Sequence, residues 1–227
     1  MRTLKGSILS RSSHGAEGFR EQRREMIEKW LEEYNIKDYT INDDFTIDVD
    51  GDVDLLDKDL TEFPNYIQFG LVVGGFDCSF NKLTSLEGAP REIGEGFYCH
   101  NNRLTSLEGA PKKVNGDFNC SRNNLTSLKG LPKEVGRDFN CSFNNLKSLK
   151  GSPKEVGRNF NCSYNKLKSL EGAPVTVRGY FICSYNRLTS LEGAPVMVRG
   201  DFYCSKNTTK FTEENVRKIC DVKGDIY

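Results

Sequence analysis

Phe76, Phe97, Phe118, Phe139, Phe160, Phe181 and Phe202 stand 21 residues apart, and this fixed step constrains the chain more than any other feature. The same step carries Cys78 to Cys204, Asn81 to Asn207, Leu83 to Leu188, Leu86 to Leu191, Gly88 to Gly193 and Pro90 to Pro195. A β-branched column runs from Ile93 through Val114, Val135, Val156 and Val177 to Val198. Six complete repeats and the opening strand of a seventh follow one another without insertion. A period of this size belongs to solenoids, in which one unit that cannot bury its own apolar face stacks on its copies.

Residue chemistry sets the course of one repeat. In Phe97-Tyr98-Cys99, alternation puts Phe97 and Cys99 on one face and Tyr98 on the other. So short a strand holds only when it pairs with its copies, about 4.8 Å away on each side. Asn102 turns the chain inward, and its amide can bond loop backbone in its own and neighbouring turns. Leu104 and Leu107 fill the core. Gly109 and Pro111 return the chain, and Val114 closes the core before the next strand.

The series F-x-C-S-x-N-x-L-x-x-L-x-x-x-P-x-x-V resembles the leucine-rich-repeat pattern L-x-L-x-x-N-x-L. Its proline and short period resemble the bacterial-effector subclass, and "FNCSxNxLTSLEGAP" is similar to repeats in bacterial and phage proteins. Phe and Cys replace the aliphatic residues usual in that family. The resemblance implies an arc that binds protein on its concave sheet, and it does not imply an enzyme. The expected fold is therefore an α/β solenoid with a parallel β-sheet on the concave side, a mostly irregular convex side and helical caps at both ends.

The caps are read from the flanks. Phe19, Met26, Ile27, Trp30, Leu31 and Tyr34 follow helical spacing over 19–34, with Trp30 as an anchor to the core. Strands are expected at 39–41 and 45–49 around the turn Asn42-Asp43-Asp44. Val53 and Leu55 read as a degenerate first rung, with Leu60 and Phe63 as its core residues. Thr212 is a candidate N-cap for a closing helix whose Val216, Ile219 and Cys220 face inward. The expected organisation is a flexible tail at 1–17, a cap of helix plus hairpin at 18–55, the solenoid at 56–207 and a helical cap at 208–227.

Charge is unevenly distributed. Residues 1–75 hold 9 Lys/Arg against 16 Asp/Glu, whereas residues 76–207 hold 19 against 12. No apolar run is long enough for a membrane helix, so no membrane partner is expected. The N-terminus lacks the apolar stretch of a secretory signal. Eight cysteines in such a chain are expected to be reduced, in a bacterial or infected-host cytoplasm.

Catalytic, metal and cofactor chemistry all find little support. The cysteines form a line with one thiol per turn, not a converging set, and are expected to be small buried hydrophobes. Asp48, Asp50, Asp52 and Asp54 alternate around Gly51 without the glutamate an EF-hand needs, which leaves weak calcium-dependent assembly as an alternative. His100 stands beside Cys99, but strand alternation turns that thiol inward. No enzyme activity and no cofactor are expected.

Specificity in a repeat protein lies where the repeats differ. Tyr98, Ile182 and Tyr203 occupy the outward position between Phe and Cys, Tyr180 precedes Phe181, and Phe143, Tyr164 and Tyr185 succeed one another two residues after Cys. These aromatic positions, with a column of Arg137, Arg158, Arg178 and Arg199, form the expected partner-binding surface. A protein partner, acidic for preference, is expected of a monomeric chain. Asp117, Asp138 and Asp201 oppose nucleic acid despite the Arg-plus-aromatic signature. A self-assembling structural or virion-associated solenoid is the other alternative.

Overall fold

A computed structural model describes the backbone of residues 6–227 and the side chains of 17–227. The chain is a β-solenoid of about eight turns bearing two parallel sheets. The phenylalanine columns pair in register, for example Phe118 with Phe139 and Asn119 with Asn140, in a sheet of eight strands. The β-branched column forms a second sheet of ten strands, with Val114 beside Val135 and Val156 beside Val177. From sequence, Val114 and its copies are expected only to close the core; they also pair as strands. Two-residue strands such as Glu134–Val135 are too short for alternation to show, and only stacking makes them strands.

Phe76 to Phe202 are all wholly buried and run as a column of rings with centroids 5.1–5.9 Å apart. Burial at roughly 25 cal/mol per Å² makes this spine, with the equally buried leucine columns beside it, a large contributor to stability. The asparagine column supplies what the spine cannot. Asn123 Nδ2 donates to the carbonyls of Cys99 (3.0 Å) and Cys120 (3.2 Å), and its Oδ1 accepts from Leu104 N–H at 2.9 Å. Each asparagine thus satisfies backbone of its own and the preceding turn, as its residue type predicts.

The corner between the two sheets is tight. A Cβ at Gly136 would lie 1.9 Å from the Asn115 carbonyl oxygen, and one at Gly179 would lie 2.8 Å from the Arg158 carbonyl carbon. Repeats that end Val135-Gly136-Arg137 and Val177-Arg178-Gly179 place the corner glycine in two alternative ways. Arg137 and Arg158 therefore share one column, while Arg178 and Arg199 occupy the next, where the former repeats have Gly136 and Gly157. The single arginine column read from the sequence is two half-columns.

At the N-terminal end, helix α1 (Gly6–Glu33) packs Ile27, Trp30 and Leu31 into the core, and Trp30 meets Phe69 edge-on at 6.2 Å. Strands β1 (Tyr39–Ile41) and β2 (Ile47–Val49) pair antiparallel at the edge of the β-branched sheet. Strand β3 (Val53–Asp54) opens the phenylalanine sheet, and Leu55, Leu60 and Phe63 are buried as expected. The helix begins earlier than its apolar stripe, because extension from an anchored helix needs one hydrogen bond per added residue and no new nucleus. Of the expected tail, residues 1–5 lie outside the described residues and 6–17 continue the helical backbone.

The C-terminal end is more than a helical cap. Thr212 does cap helix α2 (Glu213–Arg217), with Oγ1 accepting from Asn215 N–H and Asn215 reciprocating. Val216 and Cys220 are buried, but Ile219 is half exposed at 48%. The chain then returns to both sheets. Asp221–Val222 pairs with Met197–Val198, and Ile226 bridges Phe202, so a closing turn covers the solenoid.

Candidate functional site

The residue two after each cysteine sits at a corner with left-handed backbone, from Phe80 through Arg122 (φ 53°), Phe143, Tyr164 and Tyr185 to Lys206. At these corners the side chains of successive turns lie one above another. Phe143 stacks on Tyr164 at 4.1 Å and Tyr164 on Tyr185 at 4.2 Å, within 9° of parallel. The Arg122 guanidinium covers the free face of Phe143 at 4.4 Å. The rings give their faces to one another and their edges to solvent, at 39–44% exposure. Within the stack a base could intercalate only by separating rings that already lie face to face.

A second aromatic group lies on the outer face of the phenylalanine sheet. Tyr180 meets Tyr203 edge-on at 6.1 Å, and Tyr203 stacks on Tyr227 at 4.9 Å. The Tyr203 hydroxyl donates to Asp201 and that of Tyr227 to Asp225, and each carboxylate pushes its phenol's pKa up. Tyr227 joins this group because the chain forms a closing turn, which the sequence does not announce. Among the described residues no ring pair joins the two groups. The expected single patch is two stripes, one along the corner and one on the sheet.

Further along the sheet, a groove of about 290 Å³ is bounded by Tyr98 at one end and by Tyr180 and Ile182 at the other. Asn119, Asn140 and Asn161 form its floor, with Asp117, Asp138 and Asn159 alongside. Asp117 Oδ1 accepts from the backbone N–H of Asp138, Asp138 Oδ1 from that of Asn159 and Asn159 Oδ1 from that of Tyr180. These acids, expected only to repel phosphate, also lace neighbouring turns together. The Tyr98 hydroxyl donates to Asp117 Oδ2 at 3.1 Å, and burial with that nearby carboxylate raises its pKa.

Arg137, Arg158, Arg178 and Arg199 are all exposed. Arg158 approaches Asp138 and Arg178 approaches Glu155, each at 3.9 Å, contacts of little stabilising value in water.

The eight cysteines are free and buried, and burial holds the thiols from Cys78 to Cys183 far above their ordinary value. A thiol so held is protonated and a poor nucleophile. The His100 ring bonds Ser79 Oγ at 2.7 Å and meets Phe80 edge-on, and burial pushes its pKa down. Asp48 accepts from Leu71 N–H and Asn42 Nδ2, and Asp52 from Gly75 N–H, so the acidic segment caps backbone of the first turns. Among the described residues no three His, Cys, Asp or Glu side chains converge on a metal position. None of the described helices is long and apolar enough to cross a membrane.

The geometry defines a repeat protein of the β-solenoid class. Compared with known proteins, the chain matches no family model, no curated protein and no solved structure.

Proposed function

We propose that the chain is a non-enzymatic binding module that holds a partner protein on the aromatic stripes of its C-terminal turns. One observation carries this reading. Phe143, Tyr164, Tyr180, Tyr185 and Tyr227 are 39–54% exposed, while the phenylalanines of the spine are wholly buried. Exposed apolar groups held together on rigid backbone are what interaction surfaces use, and Tyr and Arg are their usual anchors. The exposed Arg137, Arg158, Arg178 and Arg199 favour an acidic partner. Protonated, buried thiols suit a reducing compartment, the cytoplasm of a bacterium or of an infected host, and the repeat's resemblance to bacterial-effector leucine-rich repeats supports a bacterial or phage descent.

Pull-down with the wild-type chain and with Tyr164→Ala/Tyr185→Ala/Tyr203→Ala tests the reading. Partners retained by the wild type are expected to fall at least tenfold with the variant, since each anchor contributes on the order of 1–2 kcal/mol. Equal recovery by a variant that melts cooperatively and still shows native strand content overturns it.

A further inference from the structure

The asparagine floor of the sheet groove does something the fold does not require. Asn119, Asn140 and Asn161 each use Oδ1 to accept the N–H of a serine two residues on, at 3.0–3.1 Å. Asp77 makes the same turn in the first repeat with a carboxylate, and Tyr98, Ile182 and Tyr203 hold the equivalent position without that bond. The turn therefore needs neither an amide nor any side-chain acceptor. Among the described residues the amide nitrogens of these three asparagines donate to no protein group, nor does that of Asn159. Four donors thus face one groove, beside carboxylate oxygens of Asp117 and Asp138 and between the walls of Tyr98 and of Tyr180 with Ile182.

We infer that this groove binds a neutral saccharide chain laid along the solenoid axis. Sugar hydroxyls both donate and accept, so they match amide donors and carboxylate acceptors set side by side. The apolar faces of pyranose rings suit the aromatic walls. The half-buried Asp117 and Asp138 carboxylates exclude polyanions by charge. An extended peptide fits poorly, because its same-side carbonyls repeat at about 6.7 Å while the donors repeat at about 4.8 Å per turn. Four steps give the groove a length of about 19 Å, room for several sugar rings. The inference does not rest on the protein-binding role: of the aromatics that carry that role only Tyr180 borders the groove, and neither the stacked ladder nor Tyr203 lines it.

Titration of the full chain with cellohexaose, laminarihexaose and maltohexaose, followed by side-chain amide NMR, tests the inference. At millimolar sugar at least one is expected to shift the amides of Asn119, Asn140 and Asn161 together. Asn140→Asp keeps the turn acceptor and removes the central donor, so binding is expected to weaken roughly three- to tenfold without loss of fold. Tyr98→Ala is expected to weaken it as well, and Tyr164→Ala to leave it unchanged. The inference is overturned if none of the three sugars shifts those amides, if Asn140→Asp binds as wild type, or if a heparin hexasaccharide binds as tightly as the neutral chains.

Discussion

Tyr164 holds a left-handed backbone, φ 53°, that costs an L-residue about 1–2 kcal/mol, and two stacked neighbours offset the strain at about 0.5–1.5 kcal/mol each. Tyr164→Ala keeps the strain and loses the stacks, whereas Tyr164→Gly loses the stacks and the strain together. Denaturant unfolding is expected to show Ala less stable than Gly by about 1 kcal/mol, the reverse of their order in a helix. Asn144→Ala strips acceptors and donors from Cys120, Cys141 and Leu125, all buried, and is expected to cost about 3 kcal/mol in the same measurement. The asparagine's role was legible because a side-chain amide offers two donors beside an acceptor at a buried turn. The left-handed corner was not, since Phe, Tyr, Arg and Lys at one position carry no mark of that conformation, and neither did the free amides of Asn119, Asn140 and Asn161.

Elements differ in how openly the sequence declares them. Val53 and Leu55 read correctly as a rung because they alternate as Phe76 and Cys78 do, although they precede them by 23 residues and not 21, and α1 is visible in its apolar stripe. The closing turn at Asp221–Tyr227 is hidden, because a single rung has no copy beyond it to compare. Arg217 helps hold that turn: Nη1 and Nη2 donate to the carbonyls of Val222 and Gly224, and Nε to Glu213. Those carbonyls belong to the last rung, where an incoming strand would seek partners. Arg217→Ala is expected to raise hydrogen exchange over residues 221–227 and to add end-to-end association in light scattering relative to the wild type. Unchanged exchange in the variant refutes this role for Arg217.

For the whole molecule, the buried thiols set a limit at high pH. Unfolded, they ionise near 9.0; folded, burial holds them protonated, with Cys220 raised to about 11 and Cys78 to Cys183 held well above the ordinary value. Unfolding therefore releases protons above about pH 9. The stability due to protonated thiols is complete below that value and declines as pH rises, by about 1.4 kcal/mol per pH unit for each fully buried cysteine. Thermal melts are expected to be flat in this respect from pH 7 to 8 and to fall steeply between pH 9 and 11. A Cys120→Ala/Cys141→Ala variant should show a shallower decline.

The direction of the asparagine bonds bears on synthesis. Leu104 N–H finds its acceptor on Asn123, and Leu125 N–H on Asn144, always one turn later. As the chain leaves the ribosome, every turn stays unfinished until the following 21 residues have emerged, so the nascent solenoid grows with one raw turn at its tip.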